Sequence, residues 1–329
     1  MSKKKVFISR LFPEIGAELL KNAGFIVNNW NEERSMTQEE LIIKAKTHDA
    51  LFCTLSDKID KNFFSECPQI QIISQFAVGY DNIDISEATK LGIPVGYTPD
   101  VLSNATADVA FGLMIATSRK MFYLHKKILN NEWSFFRPKA NLGIELKDKT
   151  LGIFGLGRIG IEMAKRCKGA YNMNVIYHNR QPNTISEKQL QAEHVDFPEL
   201  LSKSDVISVH CSLNDATKGI FNMAAFRQMK PSSIFINTAR GLVHNEEDLI
   251  KALQTGIIWG AGLDVTNPEP MDAHNPLLQM ENVSVLPHIG SATVEAREKM
   301  AIMAAENIIQ FFKTGKVPNI VNPEVLELN

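Results

Sequence analysis

Long apolar runs are absent from this chain of 329 residues. No stretch approaches the roughly 18 apolar residues of a membrane-spanning helix. Cysteine is scarce: Cys53, Cys67, Cys167 and Cys211 are scattered, with no C-x-x-C pair. That excludes a disulfide framework, offers no metal-ligand spacing, and suits reduced thiols in the cytoplasm. No charge of one sign prevails. Lys and Arg number 35 against 37 Asp and Glu, net −2, and the basic residues do not cluster. The balance argues against nucleic acid or a membrane surface as partner. Internal repeats, low-complexity segments and a long Pro/Ser linker are missing too. The opening "MSKKKVFISRLF" imitates a signal peptide, but Arg10 and Pro13 interrupt its apolar run too early. It reads as solvated lysines before a first strand.

What is present is an ordinary globular composition, 44% hydrophobic and 22% charged, in a length that suits two domains. Short apolar runs alternate with helical patterns. Val6–Ser9, Phe25–Asn28, Ala50–Thr54, Ile70–Phe76 and Pro94–Tyr97 read as buried strands, with amphipathic segments such as Glu14–Asn22 and Gln38–Lys46 between them. Strands alternating with helices imply a parallel sheet covered on both faces. Asn104 to about Asn131, without Pro and with one Gly, reads as a single long helix, and "WSFFRPKANLG" as an irregular arm. A second series follows: Thr150–Phe154, Asn174–Tyr177, Asp205–His210, Ser233–Asn237, Gly260–Asp264 and Val283–Leu286. Ala292–Thr314 is a last long helical pattern, placed after the second series with no third to join. The fold class is therefore α/β, with two doubly wound parallel-sheet domains.

"TLGIFGLGRIGIEMAKR" holds Gly155-x-Gly157-x-x-Gly160. A plain strand–helix turn can use such glycines. Here a strand precedes, an amphipathic helix follows, and the strand "NVIY" comes about twenty residues on, as a dinucleotide-binding βαβ unit requires. The helix N-terminus offers N–H groups and a positive dipole end to a pyrophosphate, and Arg158 can add a charge. An NAD-preferring site places Asp or Glu after that second strand, for the ribose hydroxyls. This chain has Asn179 there, 19 residues past Gly160, followed by Arg180. A carboxylate about 5 Å from a 2′-phosphate would oppose each of its charges by roughly 3 kcal/mol at an effective dielectric of 20. Asn removes that opposition and Arg supplies a fork. NADP(H) is preferred on this reading, with NAD(H) possible. The other reading leaves Arg180 a solvated loop charge and both cofactors accepted.

A hydride-transfer site also needs a proton donor, a group that tunes it and a cation for an anionic substrate. "FINTAR" ends in Arg240, "GLDVTNPEP" contains Glu269 and "VSVLPH" ends in His288. Each lies just past the carboxyl end of an expected strand, the edge where open α/β sheets bind ligands. Singly they read as a surface ion pair, a turn residue and a strand cap.

Together the motifs resemble the D-isomer-specific 2-hydroxyacid dehydrogenases. "FGLGRIG", "NTARG", "GLDVTNPEP" and "LPHIGSAT" carry the match, with "AVGYDNIDI" and "VGYTPDVLSNATAD" earlier in the chain. Arg240 to Glu269 spans 29 positions and Glu269 to His288 spans 19. "LSDKID", "VGYTPDVL" and "NRQP" add a finer likeness to glyoxylate/hydroxypyruvate reductases. The resemblance implies a Rossmann cofactor domain, 101–292, inserted into a flavodoxin-like substrate domain made of 1–100 and 293–329. The last helix then crosses back, the site lies in the cleft, and the arm around Trp133–Pro138 builds a homodimer.

The roles it implies make physical sense. His288 protonates the carbonyl oxygen as general acid, since imidazole titrates near pH 6.5. Glu269 favours the protonated ring and holds its tautomer. Arg240 grips the substrate carboxylate. Leu55 and the N–H groups of Val78 and Gly79 complete the substrate pocket, with Phe76 nearby. Ile159, His210, Thr238, Asp264 and Gly290 join the cofactor contacts, Asp264 towards the nicotinamide amide. Asn245 and Ser212 depart from the family's usual Asp and Pro, which touches fine cofactor geometry rather than reaction class. Two alternatives stand. One is a related enzyme for a bulkier keto acid or for formate, although formate oxidation normally has Gln where Glu269 stands. The other is a dinucleotide-sensing scaffold resembling transcriptional corepressors, for which an intact triad and no long tail are unfavourable.

Overall fold

Twelve parallel strands in two sheets organise residues 3–326, the part that the computed structural model describes. Residues 1, 2 and 327–329, the ends of the expected substrate-binding domain, lie outside the described residues. The chain divides at Leu102/Ser103 and Ser291/Ala292 into two compact units.

The first unit holds β1 (Lys5–Ile8), β2 (Ile26–Asn29), β3 (Ala50–Cys53), β4 (Ile72–Gln75) and β5 (Val95–Gly96), in the order β2-β1-β3-β4-β5. That is the flavodoxin-like winding. Strands β3 and β4 are buried along their whole length; β3 accordingly reads as a continuous apolar run and not as alternation, while β4 ends in the buried polar residues Ser74 and Gln75. The last helix, Val294–Thr314, is capped by Thr293 and packs on the helix Glu14–Asn22 and on β4, where Ser74 Oγ donates to Ala304 O at 2.8 Å. It returns to the first sheet because no uncovered face of its own series calls for it.

The second unit holds β6 (Thr150–Phe154), β7 (Asn174–His178), β8 (Glu193–His194), β9 (Val206–Val209), β10 (Ile234–Asn237), β11 (Gly260–Leu263) and β12 (Val283–Val285). Their order is β12-β11-β10-β9-β6-β7-β8. The winding reverses between β6 and β9, so a crevice opens at their carboxyl ends. Phe221, Phe226 and Phe235 fill one face of this sheet; Leu151, Met163 and Tyr177 fill the other.

Two expectations need correction. The single helix expected from Asn104 is two, Ser103–Ser118 and Met121–Leu129, broken where Lys120 adopts φ 55°. No Pro or Gly marks the break. Tertiary contacts select it: Lys120 Nζ reaches Glu281 and Lys126 Nζ reaches Leu278 O, each at 2.8 Å. Strand β8 was not foreseen, because two residues are too few to show alternation.

Candidate active site and cofactor cradle

At the β6–β9 switch point the chain makes its tightest turn. Gly155 has φ 100°, and a Cβ there would lie 2.8 Å from Cys211 N, so no other residue fits. At Gly157 a Cβ would meet no atom within 4 Å. The chain's own packing does not require glycine at Gly157; a group approaching from outside does, as a pyrophosphate would. Gly157 also opens the helix Arg158–Tyr171 without a side-chain cap, so the first-turn N–H groups of Arg158, Ile159 and Gly160 face that space. These features fit a dinucleotide.

The loop after β7 grips the phosphate loop. Leu156 N–H donates to Asn179 Oδ1 at 2.7 Å, and Leu156 O accepts from Asn183 Nδ2 at 3.2 Å. Asn183 is held in turn by its N–H on Tyr177 Oη, which donates to Glu187 Oε1 at 2.6 Å. Burial and that carboxylate push the Tyr177 hydroxyl up to about 12. Arg180 is exposed beside Asn179. Motif reading passed over Asn183, whose partner Leu156 lies 27 positions away, and Tyr177, which holds Asn183 in place. His210 follows β9. Its Nε2 pairs with Ser208 Oγ at 2.8 Å and its Nδ1 with Thr238 Oγ1 at 3.5 Å. Burial pushes this ring down to about 3, so it stays neutral.

The strand ends of β10, β11 and β12 bring the three charged residues together. His288 takes φ 53°, uncommon for any residue but glycine and a mark of imposed geometry. Asp264, just past β11, imposes it. Its main-chain oxygen accepts from His288 N–H at 2.9 Å, and its carboxylate accepts from Ile289 N–H at 2.8 Å and Gly290 N–H at 2.7 Å. The small residues around His288 thus let a loop wrap a carboxylate. Burial raises the Asp264 pKa despite those two N–H groups. Asp264, expected at the nicotinamide, therefore also carries the His288 loop.

Glu269 faces His288, with Oε2 2.8 Å from Nδ1, while its Oε1 accepts from Thr266 N–H at 3.0 Å. The carboxylate needs a proton on Nδ1, which turns Nε2 outward. Burial works against the charge on Glu269, but the His288 hydrogen bond and charge, the Thr266 N–H and Arg240 outweigh it, and its pKa falls below the ordinary range. Arg240 sits on a loop organised by Asn237, fully buried at the end of β10. Asn237 Oδ1 accepts from Ala239 N–H, and Nδ2 donates to Arg240 O and to His244 Nδ1, at 2.9, 2.9 and 3.0 Å. Gly241 then lies so close to Thr266 O that any Cβ would overlap it. That contact packs the Arg240 loop on the turn that presents Glu269. Asn237 was missed as the polar end of an apolar run.

Leu55, Val78 and Gly79 belong to the first unit, after the neighbouring strands β3 and β4, and are all part-buried. Among the described residues nothing accepts the N–H of Val78 or Gly79, which leaves two successive donors for an anion. Phe76 lies two residues before Val78. It is 8% exposed and stacks on Phe12, 4.5 Å between ring centroids. Among the described residues no group of His, Cys, Asp and Glu could hold a metal ion.

The chain is similar to known proteins. The family profile of the D-isomer specific 2-hydroxyacid dehydrogenase NAD binding domain matches residues 111–290. The glyoxylate reductase of Pyrococcus furiosus is 45% identical, covering 99% of this chain and 97% of its own. That of Thermococcus litoralis is 44% identical, covering 98% of each. Among solved structures, a glyoxylate reductase from Paecilomyes thermophila superposes with a TM-score of 0.87 at 31% identity, over 98% of this chain and 100% of its own. An NADPH-dependent glyoxylate/hydroxypyruvate reductase of Sinorhizobium meliloti, in complex with NADP and malonate, gives 0.85 at 28% identity over 97% of each.

Proposed function

The chain belongs to the D-isomer specific 2-hydroxyacid dehydrogenases, and on that premise we propose that it reduces a small 2-keto acid, glyoxylate or hydroxypyruvate, to the 2-hydroxy acid. The observation that carries the reading is the 2.8 Å pair of His288 and Glu269 beside the Arg240 loop. The bound dihydronicotinamide supplies hydride to the carbonyl carbon. His288, with Glu269 on Nδ1, donates from Nε2 to the carbonyl oxygen as charge develops there. Glu269 stabilises the positive imidazolium before transfer and keeps the donating nitrogen turned outward. Arg240 binds the substrate carboxylate through its planar fork and draws charge towards the keto oxygen. Leu55 and the N–H groups of Val78 and Gly79 are assigned to substrate binding as well.

NADP(H) is the cofactor we favour. Asn179 spends its Oδ1 on Leu156, which leaves its Nδ2 and the exposed Arg180 to a 2′-phosphate. Cofactor contacts are assigned to Gly155, Gly157, Arg158, Ile159, Gly160, Asn179, Arg180, His210, Thr238, Asp264 and Gly290. The arm presents Trp133, Phe135 and Phe136 at 73%, 64% and 83% exposure, an apolar patch that a homodimer would cover; light scattering reads the mass. No helix among the described residues is long and apolar enough to cross a membrane, and the four cysteines are unbridged; we place the enzyme in the cytoplasm. Steady-state kinetics on glyoxylate, hydroxypyruvate and pyruvate, each with NADPH and NADH, tests the reading. Absence of turnover on both glyoxylate and hydroxypyruvate would overturn it.

A further inference from the structure

A chain of buried and part-buried polar side chains runs through the carboxyl edge of the first sheet. It starts at Cys53, whose Sγ donates to Gln75 Oε1 at 3.0 Å. Gln75, the last residue of β4, is fully buried. Its Nε2 donates to Gly79 O at 3.3 Å and to Asn82 Oδ1 at 2.7 Å. Asn82 Nδ2 in turn donates to Thr54 O at 3.1 Å and Asp57 O at 2.8 Å. The carboxylate of Asp57, 3% exposed, accepts from Ser9 Oγ and from Thr54 N–H. The ends of β1, β3 and β4 are thus joined by side chains.

Such a network costs desolvation at every member, and apolar side chains would close this end of the sheet at lower cost. What it adds is direction. Both amides are spent at both ends, so neither can rotate without leaving a buried group unpaired. The carbonyls they hold belong to two loops: Thr54 and Asp57 flank Leu55, and Gly79 follows Val78. Ala77 O is taken by Thr98 N–H, which points the Val78 N–H the other way, because the two atoms lie trans across a peptide. Gln75 fixes the next carbonyl but one. The two unpaired N–H groups therefore lie between two anchored carbonyls.

We propose that Asn82, acting with Gln75, is a positioning residue for substrate affinity. It ties the segment that offers the Val78 and Gly79 N–H groups to the loop that carries Leu55, and so sets where a 2-keto acid's carboxylate binds. The inference rests on the role given to those residues under Proposed function. The fold does not depend on this amide alone, since Ile59 N–H donates to Asn82 O and Asp84 N–H to Ile59 O, which join the same loops through the main chain.

The test uses two isosteric changes. Asn82→Asp turns both donors into an oxygen facing two carbonyls, and Gln75→Glu removes the donor to Gly79 and Asn82. Asn82→Ser breaks the link without adding a buried charge and serves if either of these fails to fold. The expected result is a rise of about 10- to 100-fold in KM for the keto acid, the worth of one or two charge-assisted hydrogen bonds. kcat should stay within about threefold and KM for NADPH should not move, because only binding shared by ground and transition states is lost. Binding of oxalate to the NADPH complex should weaken by the same factor as the keto acid. An unchanged keto-acid KM overturns the proposal. So does a parallel rise for NADPH, which would mark a general loosening. Each constant is compared with the wild type's for whichever 2-keto acid the wild type reduces. A wild type idle on glyoxylate but active on pyruvate would therefore count against the substrate reading and leave this one to its own result.

Discussion

Replacing Glu269 by Gln tests the acid–base reading by removing one charge and almost no volume. Glu269 now serves two donors, Thr266 N–H and the Nδ1–H of His288, with one oxygen each. An amide has a single acceptor oxygen. In one orientation the new amide accepts from His288 and turns an N–H against Thr266 N–H. In the other it accepts from Thr266 and donates to Nδ1, which forces the proton to Nε2 and removes the support for a cationic ring. Either way the charge is lost. At 2.8 Å a pair of unit charges is worth about 6 kcal/mol at an effective dielectric of 20 and about 1.5 kcal/mol in bulk water. The two side chains are 37% and 38% exposed, so the value belongs near the lower end, about 2 kcal/mol. That corresponds to about a 30-fold loss in kcat/KM for the keto acid at pH 7. The assay is NADPH oxidation at 340 nm, with cofactor affinity measured separately by fluorescence titration and expected to hold. A variant within threefold of wild type would refute the idea that Glu269 supports the proton donor.

His288→Ala should lower kcat by roughly 10² to 10⁴, the usual worth of a general acid, with NADPH binding retained; near-normal turnover would remove His288 from the chemistry. Arg180→Ala should weaken NADPH more than NADH, by about 10- to 150-fold for a charge-assisted pair. With Asn179→Asp added, the preference should reverse, since a carboxylate can keep the bond to Leu156 N–H and repel a 2′-phosphate; an unmoved kcat/KM ratio at fixed ionic strength would count against that loop's role. Acid should destabilise the fold through His244, which is 2% exposed and pushed down to about 4 by burial. Below about pH 6.5 the unfolded chain binds a proton there that the native ring refuses, so stability drops as pH falls towards 4. At pH 5 the His244 share of the loss is about 2 kcal/mol, to be read as a lower urea midpoint than at pH 7, and His210, pushed down to about 3, adds a share of the same sign. His244→Gln should make that slope shallower by its own share, and an equally steep one would show that other groups carry it.

Much of the fold was legible because burial leaves a local record. Strand β3 is apolar throughout since both its faces are covered, and the helix Glu14–Asn22 shows its ends in its periodicity and its following glycine. The turn at Gly155 was legible for the same reason: a backbone constraint admits one residue type. So were Arg240, Glu269 and His288 as candidates, because charged residues directly after apolar runs fall on one edge of a parallel sheet whatever the order of its strands.

Tertiary structure decided the rest. The break at Lys120 answers to Glu281, over 160 residues away, and nothing in the local sequence announces it. Phe76 follows a strand end, and it stacks on Phe12, which lies far away along the chain. Asn82 and Asn183 look like turn residues by composition. Each also donates to main-chain carbonyls distant along the chain, Asn82 to Thr54 and Asp57 and Asn183 to Leu156, which the folding of the sheet brings near. Apolar burial needs only a residue's own character, whereas the task of a buried amide is defined by the groups it faces, and those are chosen by the whole chain's path.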